Sequence, residues 1–300
     1  MTSSPILVPL DGSAESNAAL PLARTLAKAT ASSVTLLRVM THEEREATRD
    51  ATSNLASIAR ELAGSGVTVE STVRSGRAAE EILEEIRERT PSLVVMRTHG
   101  RSGIERAVLG SVADQVLARC PVPIVLMRPG GRRITAIGKL LVPVDGSPGG
   151  AVALRTAIGL AQATSAAIKL VQICQPVAMH AAMSLDGGVG YYDPDWDDAS
   201  LASAQAYVDA LVKQLGDNQL TVEGHVSMAP SVAGAIVELA DRDAADLVVM
   251  STRALTGPAR TLLGSVANAV VRTAPCPVVL VHRAESESPT TAEDQTSSTS

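Results

Sequence analysis

Ile6-Leu-Val-Pro-Leu-Asp-Gly-Ser13 recurs as Leu140-Leu-Val-Pro-Val-Asp-Gly-Ser147. An apolar run that ends in Asp-Gly-Ser reads as a short buried strand followed by a turn and a helix start. Two further blocks repeat in the same order. Leu93-Val-Val-Met96 returns as Leu247-Val-Val-Met250, and Leu109-Gly-Ser-Val-Ala113 as Leu263-Gly-Ser-Val-Ala267. The first pair is displaced by 134 residues and the other two by 154. The chain therefore consists of two homologous halves, and the second carries about 20 additional residues between its second and third strands.

Each half alternates between strand and helix patterns. In the first, strands are expected at Ile6–Pro9, Val34–Met40, Val67–Val73, Leu93–Met96 and Ile124–Met127. Helical stripes lie between them: Ala18, Leu22 and Leu26; Leu55, Ile58, Ala59 and Leu62; Ala79, Ile82, Leu83 and Ile86; Val112, Val116 and Leu117. Pro21 either kinks the first helix or marks its true start. The second half is expected at Lys139–Val144, Ala151–Ala163, Ile168–Ile173, Ser200–Leu215, Leu220–Ser227, Val232–Arg242, Leu247–Met250, Val266–Arg272 and Val278–Val281. Strands alternating with helices of this length build βαβ units and a parallel sheet.

The expected fold class is α/β: two tandem doubly wound Rossmann-like domains, each with a five-stranded, mainly parallel sheet flanked by helices. Residues 1–130 form the first domain, 131–138 a linker and 139–284 the second. Residues 285–300, rich in Ser, Thr, Glu and Asp, read as a disordered tail.

Composition bounds the function. The chain has 300 residues, a net charge of −6, no Phe, one Trp and three Tyr. Its core must be aliphatic, as suits a sheet covered on both faces. An acidic chain nearly free of aromatics is a poor nucleic-acid binder. No apolar run reaches the roughly 18 residues needed to span a bilayer. The N-terminus lacks a signal-peptide pattern. Cys120, Cys174 and Cys276 are far apart, as expected of reduced, buried thiols in a cytoplasmic protein.

In an open parallel sheet, ligands bind beyond the carboxyl ends of the strands. Three segments fall there: Asp11-Gly-Ser13, Arg97-Thr-His-Gly100-Arg-Ser-Gly103, and Gly110-Ser111 before the last helix. Glycine admits a phosphate close to the backbone, and free N–H groups at a helix start favour an anion. The structural alternatives stand beside this. Asp11 and Ser13 could cap the first helix, Ser111 with Asp114 matches a capping box, and the glycines could simply shape a loop. The acidic stretch Asp193-Pro-Asp195-Trp-Asp197-Asp198 fails as a calcium loop and reads as a solvated acidic loop. Tyr191, Tyr192 and Trp196 nearby form either a lid or a cover over the sheet edge. The five histidines show no metal spacing, and no nucleophile elbow or P-loop is present.

The Val-Pro-hydrophobic-Asp-Gly-Ser opening, the stretch from Val94 to Asp114 and the closing Cys120-Pro-Val-Pro-Ile-Val-Leu126 together resemble the universal stress protein family. The resemblance extends over both halves, from Ile6 to Arg283. It implies binding of ATP, with or without Mg²⁺, in the first domain ahead of the second. ATP-binding members carry Gly, two residues, Gly, nine residues, then Gly-Ser or Gly-Thr. Here the first half has Arg97, Gly100 and Gly110-Ser111; the second has Ser251, Ala254 and Gly264-Ser265, with Pro258 in the loop.

By resemblance, Asp11 contacts the adenosine, the backbone near Val39 holds the adenine, and Gly100, Gly110, Ser111 and Val112 take the phosphates. Pro9, Met96, Arg97 and Gly103 complete the implied first set. Asp145, Ile173, Gly264, Ser265 and Val266 form the second. The implied protein is a nucleotide-dependent regulator that binds ATP or ADP and a protein partner, with its halves packed as an intrachain pseudo-dimer and open to further homodimerisation. No dedicated general base is visible, so enzymatic activity is expected to be weak or absent. The alternatives are a slow ATPase and a tandem scaffold without nucleotide.

Overall fold

The structure, a computed structural model, describes residues 3–41, 48–98, 109–176, 195–252 and 264–282. The first half contains β1 (Ser3–Leu10), α1 (Ala14–Asn17), α2 (Leu20–Thr30), β2 (Ser32–Met40), α3 (Thr48–Ala63), β3 (Val69–Ser75), α4 (Ala78–Arg89), β4 (Leu93–Arg97), α5 (Ser111–Leu117) and β5 (Ile124–Met127). The second contains β6 (Lys139–Pro143), α6 (Pro148–Thr164), β7 (Ala167–Cys174), α7 (Asp195–Gly216), β8 (Val222–Met228), α8 (Val232–Arg242), β9 (Leu247–Thr252), α9 (Ser265–Thr273) and β10 (Val278–His282).

The strand order is β3-β2-β1-β4-β5-β10-β9-β6-β7-β8. Within each half every pair is parallel, and the order reverses beside β1 and β6. The two five-stranded sheets are not separate. β5 and β10 pair antiparallel, with Val125 opposite Val279, and this joins them into one ten-stranded sheet. An edge strand on each half is thereby removed from solvent. Both are short and apolar, Ile-Val-Leu-Met and Val-Val-Leu-Val, apart from His282 at the end of β10, as a buried central position requires.

Two aliphatic layers cover the sheet. One contains Leu22 and Leu26 of α2, Leu55 and Leu62 of α3, Leu154 and Ala157 of α6, and Val208 and Leu215 of α7. The other contains Ile82 and Ile86 of α4, Val116 of α5, Ile236 and Leu239 of α8, and Val270 of α9. Chain reversal at β1 and β6 sends the helices before and after it to opposite faces, which defines a doubly wound sheet. All three cysteines are buried and unbridged.

Several expectations are corrected. Of the two readings of Pro21 the helix start holds, and only the preceding turn is new: α1 ends at Asn17, and α2 begins at Leu20 with Pro21 in its first turn, where the missing N–H costs nothing. The third strand lies at Val69–Ser75, two residues later than the apolar run suggested, because its face is only half buried. The acidic stretch is not a loop from Asp195 onward. Asp195, Asp197 and Asp198 occupy the first turn of α7, where carboxylates complement the N-terminal partial positive charge. Trp196 is half exposed there; Tyr191 and Tyr192 lie outside the described residues.

Candidate functional site

The Asp-Gly-Ser turns are built alike in both halves. Gly12 and Gly146 take positive φ values of 79° and 72°, which a side chain would strain. Asp11 accepts from the backbone N–H of Ser13 at 2.9 Å and from its hydroxyl at 2.6 Å. Ser13 Oγ in turn accepts from the Ser16 N–H at 3.0 Å, capping α1. Asp145 accepts from the Ser147 N–H at 3.0 Å, and Ser147 caps α6 through the Gly150 N–H at 3.2 Å. The serines are thus helix caps, and each aspartate fixes its turn at the end of a central strand.

At the other repeated segment the capping-box reading of Ser111 fails. Gly110, not Ser111, is the N-cap of α5, and no side chain caps that helix. The Gly110 N–H donates to the Thr98 carbonyl at 2.8 Å, while the Thr98 N–H donates to the Met127 carbonyl at 2.9 Å. These two bonds hold the start of α5 against the ends of β4 and β5.

Between these segments lies a cavity of about 290 Å³. Pro9, Leu10 and Asp11 form one wall, Leu37 and Val39 of β2 another, and Met96, Arg97 and Thr98 a third. Ala78 and Ile82 of α4 and Gly110, Ser111, Val112 and Ala113 of α5 close it. Its position, beyond the strands on either side of the reversal, is where doubly wound sheets bind ligands. Its volume is at the low end of the usual range for small-molecule pockets, roughly 300 to 1,000 Å³. One end is apolar, through Leu37, Val39, Ile82 and Met96; the other presents Asp11, Arg97, Ser111 and the start of α5.

Of the first-half residues singled out from sequence, Pro9, Asp11, Val39, Met96, Arg97, Gly110, Ser111 and Val112 all line this cavity. Gly100 and Gly103 lie outside the described residues. Leu37, Ala78, Ile82, Ser16 and Thr98 also line it and were not singled out. The first could have been found from the two-residue period of β2, which puts Leu37 on the same face as Val39. Ile82 was read as core and serves both roles.

Arg97 is half buried. Burial lowers its pKa from the ordinary arginine value, and the charge of Glu15 opposes that shift. Its Nε is enclosed with no hydrogen-bond partner among the described residues.

In the second half, Asp145, Ile173, Gly264, Ser265 and Val266 occupy the equivalent places, with Gly264 as the N-cap of α9. Ser251 stands where the first half has Arg97. Beside it, Thr252 Oγ1 and His282 Nδ1 are 3.1 Å apart, a cross-strand pair without counterpart in the first half. Ala254 and Pro258 lie outside the described residues.

A tandem α/β protein with a ligand-sized cavity at its sheet reversal is the class that the fold and site define. The sequence profile described as the universal stress protein family matches residues 3–128 and again 136–282. The chain belongs to that family, as a tandem member. A universal stress protein of Methanocaldococcus jannaschii is 32% identical over 152 residues, which cover 50% of this chain and 84% of that one. A universal stress protein of Mycobacterium tuberculosis is 27% identical over 204 residues, covering 64% of this chain and 62% of that one. Among solved structures, a universal stress protein from Archaeoglobus fulgidus superposes with a TM-score of 0.74 at 21% identity, covering 95% of this chain and all of that one. At that identity the last match speaks for the fold.

Proposed function

We propose that this protein is an adenine-nucleotide-binding regulator. ATP occupies the first-half cavity, and its presence or absence is read by a protein partner. The observation that carries this reading is the convergence of Pro9, Asp11, Val39, Met96, Arg97, Gly110, Ser111 and Val112 on one cavity. These residues come from β1, β2, β4 and α5, which are distant in sequence.

The lining fits the group. Leu37, Val39, Ile82 and Met96 offer an apolar slot for a planar base. Asp11 is an acceptor suited to a ribose hydroxyl. The α5 start, uncapped by any side chain, offers backbone N–H groups to phosphate. Arg97 adds a guanidinium, and its unpartnered Nε is a donor in want of an oxyanion. Mg²⁺ would be carried in with the phosphates, with Ser111 as the nearest hydroxyl. In the second half a guanidinium is missing at Ser251, so the first half is the favoured site.

The reading is regulatory because the polar residues of the cavity are suited to holding a ligand. Asp11 fixes the turn at Ser13 through Oδ1, and Ser16, Thr98 and Ser111 are hydroxyls. A cytoplasmic location is supported by three buried, unbridged thiols. Among the described residues no helix is long and apolar enough to cross a membrane.

Thermal denaturation with Mg-ATP, Mg-GTP and Mg-CTP tests the reading. A ligand at 100 times its Kd stabilises the folded state by about 2.7 kcal/mol. The expected result is a rise in Tm with ATP that exceeds the rise with GTP or CTP. Equal shifts, or none, contradict it.

A further inference from the structure

A second cavity, of about 300 Å³, opens on the other side of the β4 end, where the two halves meet. The first half contributes Ala14, Asn17, Ala18 and Pro21 from the α1–α2 segment, Arg97 from β4, Met127 from β5 and Arg128 just after it. The connecting segment contributes Gly131, Arg132 and Arg133, and the second half Cys276 and Pro277. Neither half alone can form it.

Two features set this cleft apart. First, it gathers four arginines: Arg97, Arg128, Arg132 and Arg133. Arg128 and Arg132 are pinned to the second half. Arg128 Nε donates to the Ala274 carbonyl at 2.6 Å, Arg132 Nη1 to the Ala245 carbonyl at 2.9 Å, and the Arg132 backbone N–H to the Pro275 carbonyl at 2.7 Å. Arg132 Nη2 also meets the exposed Asp241 at 3.3 Å. Bonds to neutral carbonyls leave the positive charge of Arg128 largely uncompensated. Arg97 and Arg133 form no ion pair among the described residues, although Glu15 acts on Arg97 at longer range. Like charges so gathered destabilise a fold unless an anion joins them.

Second, of the buried side-chain atoms without a hydrogen-bond partner among the described residues, two belong to residues lining this cleft: Arg97 Nε and Asn17 Oδ1. An unpaired buried polar atom costs about 1 to 3 kcal/mol. A donor and an amide left unmet in one cleft are what a ligand with an oxyanion and a hydroxyl would satisfy. A hydroxyl serves the Asn17 amide in either orientation, donating to its oxygen or accepting from its nitrogen.

The geometry points to a second ligand site at the junction of the halves, for a small phosphate ester that carries a free hydroxyl. A phosphate suits arginines that approach from β4, from just after β5 and from the connecting segment, because its oxygens accept from several directions. The volume equals roughly ten water molecules at about 30 Å³ each, enough for a phosphate with a short polyol attached. Asn17 takes the hydroxyl, and Arg97 and Arg133 take the phosphate. Arg97 borders both cavities and its Nε can serve one ligand at a time, so ATP in the first cavity and a phosphate ester here would compete for it.

Calorimetric titration of the full chain with glycerol 3-phosphate and with inorganic phosphate tests the proposal. Wild type is expected to bind glycerol 3-phosphate in the millimolar range or tighter, and inorganic phosphate more weakly. Arg133→Ala, at an exposed position, weakens glycerol 3-phosphate binding about tenfold or more. Asn17→Asp, which places a negative charge in the cleft, weakens it further. Gly110→Asp, which obstructs the other cavity, leaves it unchanged. The proposal is overturned if wild type binds neither probe in the millimolar range. It is equally overturned if Gly110→Asp abolishes binding while Arg133→Ala does not, because the phosphate then sits in the first cavity. Equal affinity for the two probes removes the hydroxyl from the account.

Discussion

The Gly110 N–H donates to the Thr98 carbonyl at 2.8 Å, which pins the first residue of the α5 cap to the end of β4. Gly110 has φ −59° and ψ 145°, values open to proline. Gly110→Pro therefore keeps the backbone conformation but removes this bond. The expected loss of stability is about 1 kcal/mol, measured by urea denaturation. Under the nucleotide reading the variant also binds ATP more weakly, because the α5 start is no longer held at the cavity. Unchanged stability would show that the bond contributes nothing.

Glu85 is the hub of an ion network on the α4–β3 surface. Its carboxylate is almost fully buried and meets Arg74 Nη1 and Arg89 Nε, each at 2.5 Å. Arg74 also pairs with Glu81 and Glu88, and Arg89 with Glu70. Glu85→Gln retains the volume and removes the charge shared by two guanidiniums. Breaking a buried pair costs about 3 to 5 kcal/mol, and the partial exposure of both arginines reduces this to roughly 2 kcal/mol. Glu88→Gln, at an exposed carboxylate, should have little effect. Chemical denaturation of both variants checks the contrast.

Gly224 lies on β8 beneath α7, and a Cβ there would stand 2.6 Å from Val208 Cγ1 and 3.2 Å from Val212 Cγ2. Gly224→Ala overpacks this contact and should cost about 1 to 3 kcal/mol. Val208→Ala alone opens a cavity and is also destabilising. In the double variant the two defects offset each other, so the measured loss should be smaller than the sum of the singles. Simple additivity would mean that the two residues do not compete for this space.

Burial pushes the Cys120 thiol up to about 11 and the Cys276 thiol up to about 12, from an ordinary value of 9.0. Both hold their protons more tightly folded than unfolded. Their contribution is fully present below pH 9 and is lost as pH rises from there toward the folded values. Stability should fall from about pH 9 upward, toward the folded values of about 11 and about 12. The double variant Cys120→Ala, Cys276→Ala should show a shallower fall, read from urea midpoints. Native thiols should also resist alkylation at neutral pH.

The sequence carried the fold because the repeated blocks coincide with the elements that fix it. Leu7, Leu141, Val94 and Val248 sit in the central strands, and their runs are legible from hydrophobicity alone. The strand pairing that joins the halves was not legible, although the resemblance implied that they pack together. Ile124–Met127 and Val278–Val281 read as ordinary last strands, and nothing local states that two such edges will pair. The start of α7 was misread because the Asp-Trp-Asp-Asp cluster resembles a solvated turn until its place at a helix N-terminus is seen. Eight of the residues chosen from the first half converge on one cavity. Two of the residues missed there, Ile82 and Ala78, come from a helix whose apolar stripe reads as core. The arginine cleft was hidden for a different reason: Asn17, Arg97, Arg133 and Cys276 are brought together only by the pairing of β5 with β10.

The central claim is most directly tested by calorimetric titration of Mg-ATP into the full chain and into Gly110→Asp. The account predicts binding to wild type at about one site per chain and loss of that binding in the variant, because a carboxylate at the α5 cap repels phosphate. Absence of binding at millimolar ATP, or binding that Gly110→Asp leaves intact, would contradict the assignment of the first-half cavity as the nucleotide site.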